Sequence, residues 1–362
     1  MQPLEIQYIE SLLQEVERNG DAVALFRYPN EAVLHIVRCR EASILSFADV
    51  SRVEISDRGA FVFASYAPSE SNPLFLLPPE EEFEILCPSN ESTFSKHHFD
   101  PNRYGNRAEY ERYSEIFGKF HQAVSEGTFD KLVLTRSHTG KFEQGYSSLS
   151  LFMRMLESYP DAFVSLVYLP QEGYWLTATP ELLLAGSQKE WKTVSLAGTR
   201  PIESSESWSR KNRNEQMMVT DFISDTLSRL GCNVLQQETE GHKAGQIEHL
   251  KTEIIFTSPR NISVKTLLSE LHPTPAVCGF PRSEARSFIE QTEHHSRRFY
   301  SGFLGFIAPE GEESRIYVNL RCVRCVGDSY TLYAGGGIMP ESELASEWEE
   351  SCFKMHTIGA LI

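Results

Sequence analysis

Four strand-like segments follow one another between residues 162 and 198 with no helical stretch between them: AFVSLVYL, GYWLTATP, ELLLAGS and EWKTVSLAG. They are rich in β-branched and aromatic residues, and the breaks between them are a few residues long. Strands joined so closely pair in hairpins, because a parallel partner requires a long crossover. Similar runs occur before residue 95 (DAVALFRY, AVLHIVRC, FVFASYA, EEFEILC) and after residue 302 (FLGFIAP, SRIYVNLRCVRC, SYTLYAG). Helical periodicity marks the N-terminal segment and residues 106–127, 214–231, 264–271 and 283–300, with a last helix from about Ser342. Glycines stop the second and third of these. The pattern predicts an α+β fold of large antiparallel sheets flanked by helices.

Charge narrows the partners. The chain has 362 residues, 41% of them hydrophobic, and a net charge of −16. No basic stripe is present to release counterions, so a nucleic-acid partner is not expected. An anionic substrate would need a local positive site or a metal. The cysteines (39, 87, 232, 278, 322, 325 and 352) are odd in number and scattered, which does not make a disulfide framework. Cys322 and Cys325 form a C-x-x-C without a second pair, inside a strand-like run. The opening MQPLEIQYIESLLQEVERNG lacks the basic and apolar regions of a signal peptide, and no apolar run reaches the ~20 residues of a membrane span. A cytoplasmic location is expected.

Several residues stand out chemically. Lys131 sits among Phe129, Leu132, Val133 and Leu134. It either snorkels from a strand end or supplies a desolvated amine whose neutral form burial favours. Glu181 lies between Pro180 and three leucines, where apolar surroundings would raise its pKa into the range of a general acid. The alternative is an exposed glutamate at a strand end. Glu347, Glu350 and Lys354 are spaced to share one face of the last helix, behind the glycine-rich YAGGGIMP. That face is either a solvated surface or part of a site. Glu215 and Glu350 are oxygen donors of the kind Mg²⁺ takes. Arg321 is a lone cation in a strand-like run and a natural carboxylate partner. His249 and His272 are packing residues or ligands.

In order, the segments DKLVLTR, TPELLL, SLAGTRP, KNRNEQMMV, EHL, HPTPAVCGFP, RRFYSGFLGFI, VNLRC, YAGGGI and EWEESCFK resemble the chorismate-utilising enzymes, which include isochorismate, salicylate, anthranilate and aminodeoxychorismate synthases. The similarity spans about residues 105–362. It implies an anthranilate synthase component I-like fold: one domain over 1–362, with a less similar part, 1–104, packing on a catalytic core, 105–362. Lys131 matches the lysine of isochorismate and salicylate synthases, where ammonia-using members tend to carry glutamine. Ala197 stands where aminodeoxychorismate synthases typically place a nucleophilic lysine. Water is therefore the implied incoming group, and isochorismate synthase the implied activity.

On this resemblance Lys131 is the base that deprotonates water attacking C2 of chorismate, and Glu181 protonates the departing C4 hydroxyl. Glu215 and Glu350 would hold magnesium, with Glu347 acting through water. Arg321, Lys354 and the Gly335 backbone would meet the enolpyruvyl carboxylate. Gly198, Thr199, Ala276 and His249 would line the pocket. A monomer without a glutaminase subunit is expected, its product feeding menaquinone or siderophore synthesis, menaquinone being favoured. A salicylate synthase is the nearest alternative; an ammonia-using synthase and an inactive binding protein are more distant ones. Asn212, Gln216 and Ser296 depart from residues common in the family and bear on the surroundings of the metal site.

Overall fold

The strand runs pair into two nine-stranded sheets in which every adjacent pair is antiparallel. The computed structural model describes residues 3–87, 99–201, 208–244 and 247–362. The first strands are β1 (Ala22–Arg27), β2 (Val33–Cys39), β3 (Leu45–Phe47), β4 (Ala60–Ala64), β5 (Leu74–Leu77) and β6 (Glu81–Leu86). The middle of the chain gives β7 (Lys131–Lys141), β8 (Phe163–Leu169), β9 (Gly173–Thr179), β10 (Leu182–Ser187), β11 (Glu190–Pro201), β12 (Asn233–Ala244) and β13 (Ile247–Thr257). The last are β14 (Gly279–Phe280), β15 (Phe303–Ile307), β16 (Ser314–Val318), β17 (Cys322–Val326) and β18 (Ser329–Ile338). Helices are α1 (Pro3–Asn19), α2 (Arg107–Ser125), α3 (Ser148–Ser158), α4 (Arg210–Arg229), α5 (Val264–Leu271), α6 (Arg282–Thr292) and α7 (Leu344–Gly359). One sheet runs β14-β7-β18-β17-β9-β8-β1-β2-β6, the other β12-β13-β11-β10-β16-β15-β4-β5-β3.

The two sheets pack face to face, with helices outside. Along β1, Ala22, Ala24 and Phe26 enter the layer between the sheets, whereas Val23 and Leu25 join the layer beneath α1, α3 and α7. This alternation is the two-residue period of a strand, here buried on both faces. The intersheet layer is aromatic: Phe63 stacks on Phe299 at 4.0 Å, and Phe163 on Tyr317 at 4.4 Å. Helices α4 and α5 cover the outer face of the second sheet. Helix α2 begins where Asn106 and Glu109 cap each other's backbone N–H groups, which satisfies donors that the first turn would leave bare.

Of the connections that pass from one sheet to the other, two shape the site. Pro180 and Glu181 join β9 to β10, and Asn319–Arg321 join β16 to β17. Because β9 pairs with β17 and β10 with β16, the crossings run side by side. SRIYVNLRCVRC is therefore two strands, not one. The helix expected over 283–300 stops at Thr292, since His294, Arg298 and Ser301 adopt φ of 56°, 51° and 61°. Helix α3 and strand β12 were not anticipated, β13 extends well before its expected IIFT end, and α4 starts earlier than expected, capped by Ser209. Cys322 and Cys325 are buried free thiols. No described helix is long and apolar enough to cross a membrane.

Phe163 is fully buried, so Phe163→Ala should cost about 3–5 kcal/mol, read as a lower denaturation midpoint. A loss under about 1 kcal/mol would mean that the intersheet layer closes around the gap.

Candidate active site

A pocket opens where the two crossings meet the glycine-rich end of β18. It encloses about 720 Å³, solvent at its mouth included, and its wall contains Glu181, Gly198, Glu215, Ala276, Arg321, Gly335, Glu350 and Lys354. Eight of the expected residues thus come together from seven elements or links, while Lys131 and Glu347 lie buried behind the wall. Thr199 and His249 pair across β11 and β13, but their side chains lie outside the described residues. His272 is buried away from the pocket wall, its Nε2 3.1 Å from the Tyr66 carbonyl.

Lys131 has no exposed surface. It does not snorkel. Its Nζ lies 2.9 Å from Glu215 Oε1 on α4, but too far off line to count as a hydrogen bond. The contact is thus one of charge more than of direction. Two like pairs stand nearby: Lys211 with Glu347 at 2.6 Å and Lys354 with Glu350 at 2.7 Å. Lys354 also donates to the Gly335 carbonyl at 2.8 Å. Three carboxylates therefore face three ammonium groups, which lets a strongly acidic protein keep this cluster balanced.

Glycine makes the gathering possible. A Cβ on Gly337 would stand 2.5 Å from Glu215 Oε1 and 2.7 Å from Lys131 Cε, and one on Gly336 would stand 3.1 Å from Glu347 Oε2. The backbone of β18 lies where any side chain would push the acid and amine apart. Donor chemistry suits a hard cation, with carboxylate oxygens from two helices converging on this bare backbone. Among the described residues, however, no three such groups are already close enough to form a ligand set. Lysines hold the carboxylates that a cation would need.

Burial pushes the Glu181 carboxyl up to about 7, against the downward pull of Lys131, Lys354 and Arg321. Burial also raises Glu347, helped by repulsion from Glu350 and opposed by Lys211. For Glu350 burial acts upward too, but Lys354, with Lys211 and Arg321, outweighs it and holds the group low. The acids in one pocket are thus set apart by their neighbours, as acid and ligand roles require. Arg321 takes a left-handed φ of 48°, rare for a residue other than glycine. Its Nη1 donates to Thr357 on α7 at 3.0 Å.

The departures find local answers. Buried Gln216 donates to the Ser195 carbonyl, Ser195 Oγ and Thr252 Oγ1, and accepts from Ala197 N–H. It thereby fixes the first turns of α4 against β11, next to Glu215 and Gly198. Asn212 N–H is received by the capping Ser209. Arg297 pairs with buried Glu293 at 2.7 Å, so the serine at 296 leaves no orphaned charge. Sequence reasoning missed Lys211 and the pocket-lining Tyr300. Lys211 lies four residues before Glu215, yet its partner is on another helix, which no local spacing reveals.

A buried acid with a raised pKa and a buried amine thus lie between two antiparallel sheets beside a carboxylate cluster, an arrangement suited to moving protons. The chain belongs to the chorismate binding enzyme family, whose match covers residues 78–362. Isochorismate synthase EntC of Escherichia coli K12 is 28% identical over 240 residues; the match covers 63% of this chain and 61% of that protein's length. Menaquinone-specific isochorismate synthase MenF of Escherichia coli superposes with a TM-score of 0.76 at 21% identity, covering 94% of this chain and 88% of that one. Anthranilate synthase component I of Streptococcus pneumoniae gives 0.69 at 14%, covering 93% and 89%. The expected α+β architecture is thus the observed one.

Two outcomes test the site. The folded protein holds the Glu181 proton more tightly than the unfolded chain, which titrates near 4.5. Stability from this group is therefore full below about pH 4.5 and is lost as pH rises through about 7. Glu181→Gln should raise the Tm above the parent's at pH 8, by up to about 3 kcal/mol of stability, and leave it nearly unchanged at pH 5. Equal Tm values at both pH values would mean that water reaches the carboxyl. Gly337→Ala should fold but lose roughly 100-fold or more in turnover, as expected when reacting groups are misplaced by about 1 Å; an active variant would show slack in the Lys131–Glu215 contact.

Proposed function

We propose that the protein is an isochorismate synthase, converting chorismate to isochorismate in a reversible, magnesium-dependent reaction. The observation that carries this reading is a pocket whose wall holds a glutamate poised to keep its proton at neutral pH, Glu181, together with Glu215, the partner of Lys131 buried just behind that wall. Lys131, freed of its proton, takes one from water as the water oxygen bonds to C2. The two ring double bonds each move over, and the C4–O bond breaks as Glu181 delivers its proton. A hydroxyl is gained at C2 and lost at C4, so the reaction is an isomerisation, and reversal exchanges the two residues' roles.

Glu215 and Glu350 would hold the magnesium, with Glu347 behind them through water, and it would neutralise the ring carboxylate. Glu215 would then be drawn from Lys131, leaving the amine without its present counter-charge. Arg321 and Lys354, beside the Gly335 carbonyl, are placed to receive the second carboxylate. Lys131 and Ala197 favour water over ammonia as the incoming group. Isochorismate feeds both menaquinone and siderophore routes, and the pocket residues suit either.

Purified protein supplied with chorismate and Mg²⁺ should form isochorismate, and Lys131→Ala and Glu181→Gln should each lose about 100-fold or more in turnover. Salicylate fluorescence without added lyase would identify a salicylate synthase instead, and product that requires ammonium would reject water. In the forward direction kcat/KM should fall as pH rises through about 7, because Glu181 must carry its proton. A profile flat to pH 9 would remove Glu181 as the acid.

A further inference from the structure

Asn319 is fully buried and does not line the pocket. It lies in the β16-to-β17 crossing, two residues before Arg321. Its Oδ1 accepts from Thr177 Oγ1 at 2.6 Å, and its Nδ2 donates to the Phe299 carbonyl at 2.8 Å. Its backbone N–H donates to the Gly302 carbonyl, and its carbonyl accepts from Ser301 N–H. One residue thus ties the crossing to β9 on one side and to the turn at Phe299–Gly302 on the other.

Both attachments lead into the pocket. Thr177 is adjacent to Ala178, whose N–H donates to the Arg321 carbonyl at 3.1 Å. The turn carries Tyr300 and Ser301, which line the wall beside Arg321. Both ends of this unit bear left-handed residues, Ser301 at 61° and Arg321 at 48°. Such backbone persists only where its surroundings hold it, and Asn319 supplies bonds on both sides.

We propose that Asn319, braced by Thr177, is a positioning residue that aims Arg321 and the Tyr300–Ser301 wall at the substrate's carboxylate. It touches no reacting atom. Its effect is on capture of the anion, so its loss acts on KM more than on kcat. This rests on the chorismate reading above.

Thr177→Val keeps shape and removes one hydroxyl, and Asn319→Ala removes the whole brace. With Mg²⁺ present, chorismate KM should rise about fivefold for Thr177→Val and tenfold or more for Asn319→Ala, with kcat within threefold of the parent. Combined with Arg321→Ala, Asn319→Ala should add little to the KM increase already caused by the arginine change, because both remove one contact. If Asn319→Ala does not fold, Thr177→Val alone decides by its KM. A purely structural role would lower the Tm while KM stays within twofold of the parent, and that result overturns the proposal. So would KM increases that multiply in the double variant. A parent that neither binds nor converts chorismate overturns the functional reading and this inference together, whereas an active parent whose variants keep its KM overturns this inference alone.

Discussion

Burying an ammonium is unfavourable unless an opposite charge goes with it, and the arrangement of this molecule's centre follows from that requirement at Lys131. Its partner, Glu215, comes from a helix packed against the second sheet. The amine belongs to a strand of the first sheet. The contact therefore spans the two halves of the fold. It forms only if α4 is held in depth and rotation, which Gln216 does through its bonds to Ser195, Ala197 and Thr252. It also requires the bare backbone at Gly337, since any side chain there would occupy the space of the two groups.

The same logic extends to Glu347 and Glu350. Three carboxylates this close would repel one another, and three lysines balance them. The arrangement lets a chain of net charge −16 keep the acids of this pocket balanced by their own lysines, with the Arg321 cation on the wall beside them.

Much of this was legible in the chain. The antiparallel sheets followed from strand runs without intervening helices. Lys131 and Glu181 stood out because a charge among apolar neighbours either escapes or is put to use. Spacing on the last helix put Glu347, Glu350 and Lys354 together. What escaped depends on contacts between distant segments. SRIYVNLRCVRC looks continuous because all of it is apolar enough for a strand, yet its middle turns from one sheet to the other, held by Thr177 and Phe299. The helix through Arg282 breaks after Thr292 because Glu293 and Arg297 turn inward, Arg297 to bond the Val133 and Val277 carbonyls. Helical periodicity carries no trace of that demand. Lys211 was invisible for the same reason.

The first 87 residues contribute three strands to each sheet, two of them, β1 and β4, lying against β8 and β15. Kinship by sequence begins at residue 78, in the midst of these sheets. The line where ancestry becomes recognisable is thus not a line along which the molecule can be divided. A fragment trimmed to the matched part would bare the edges of β8 and β15, each an open template for pairing with other chains.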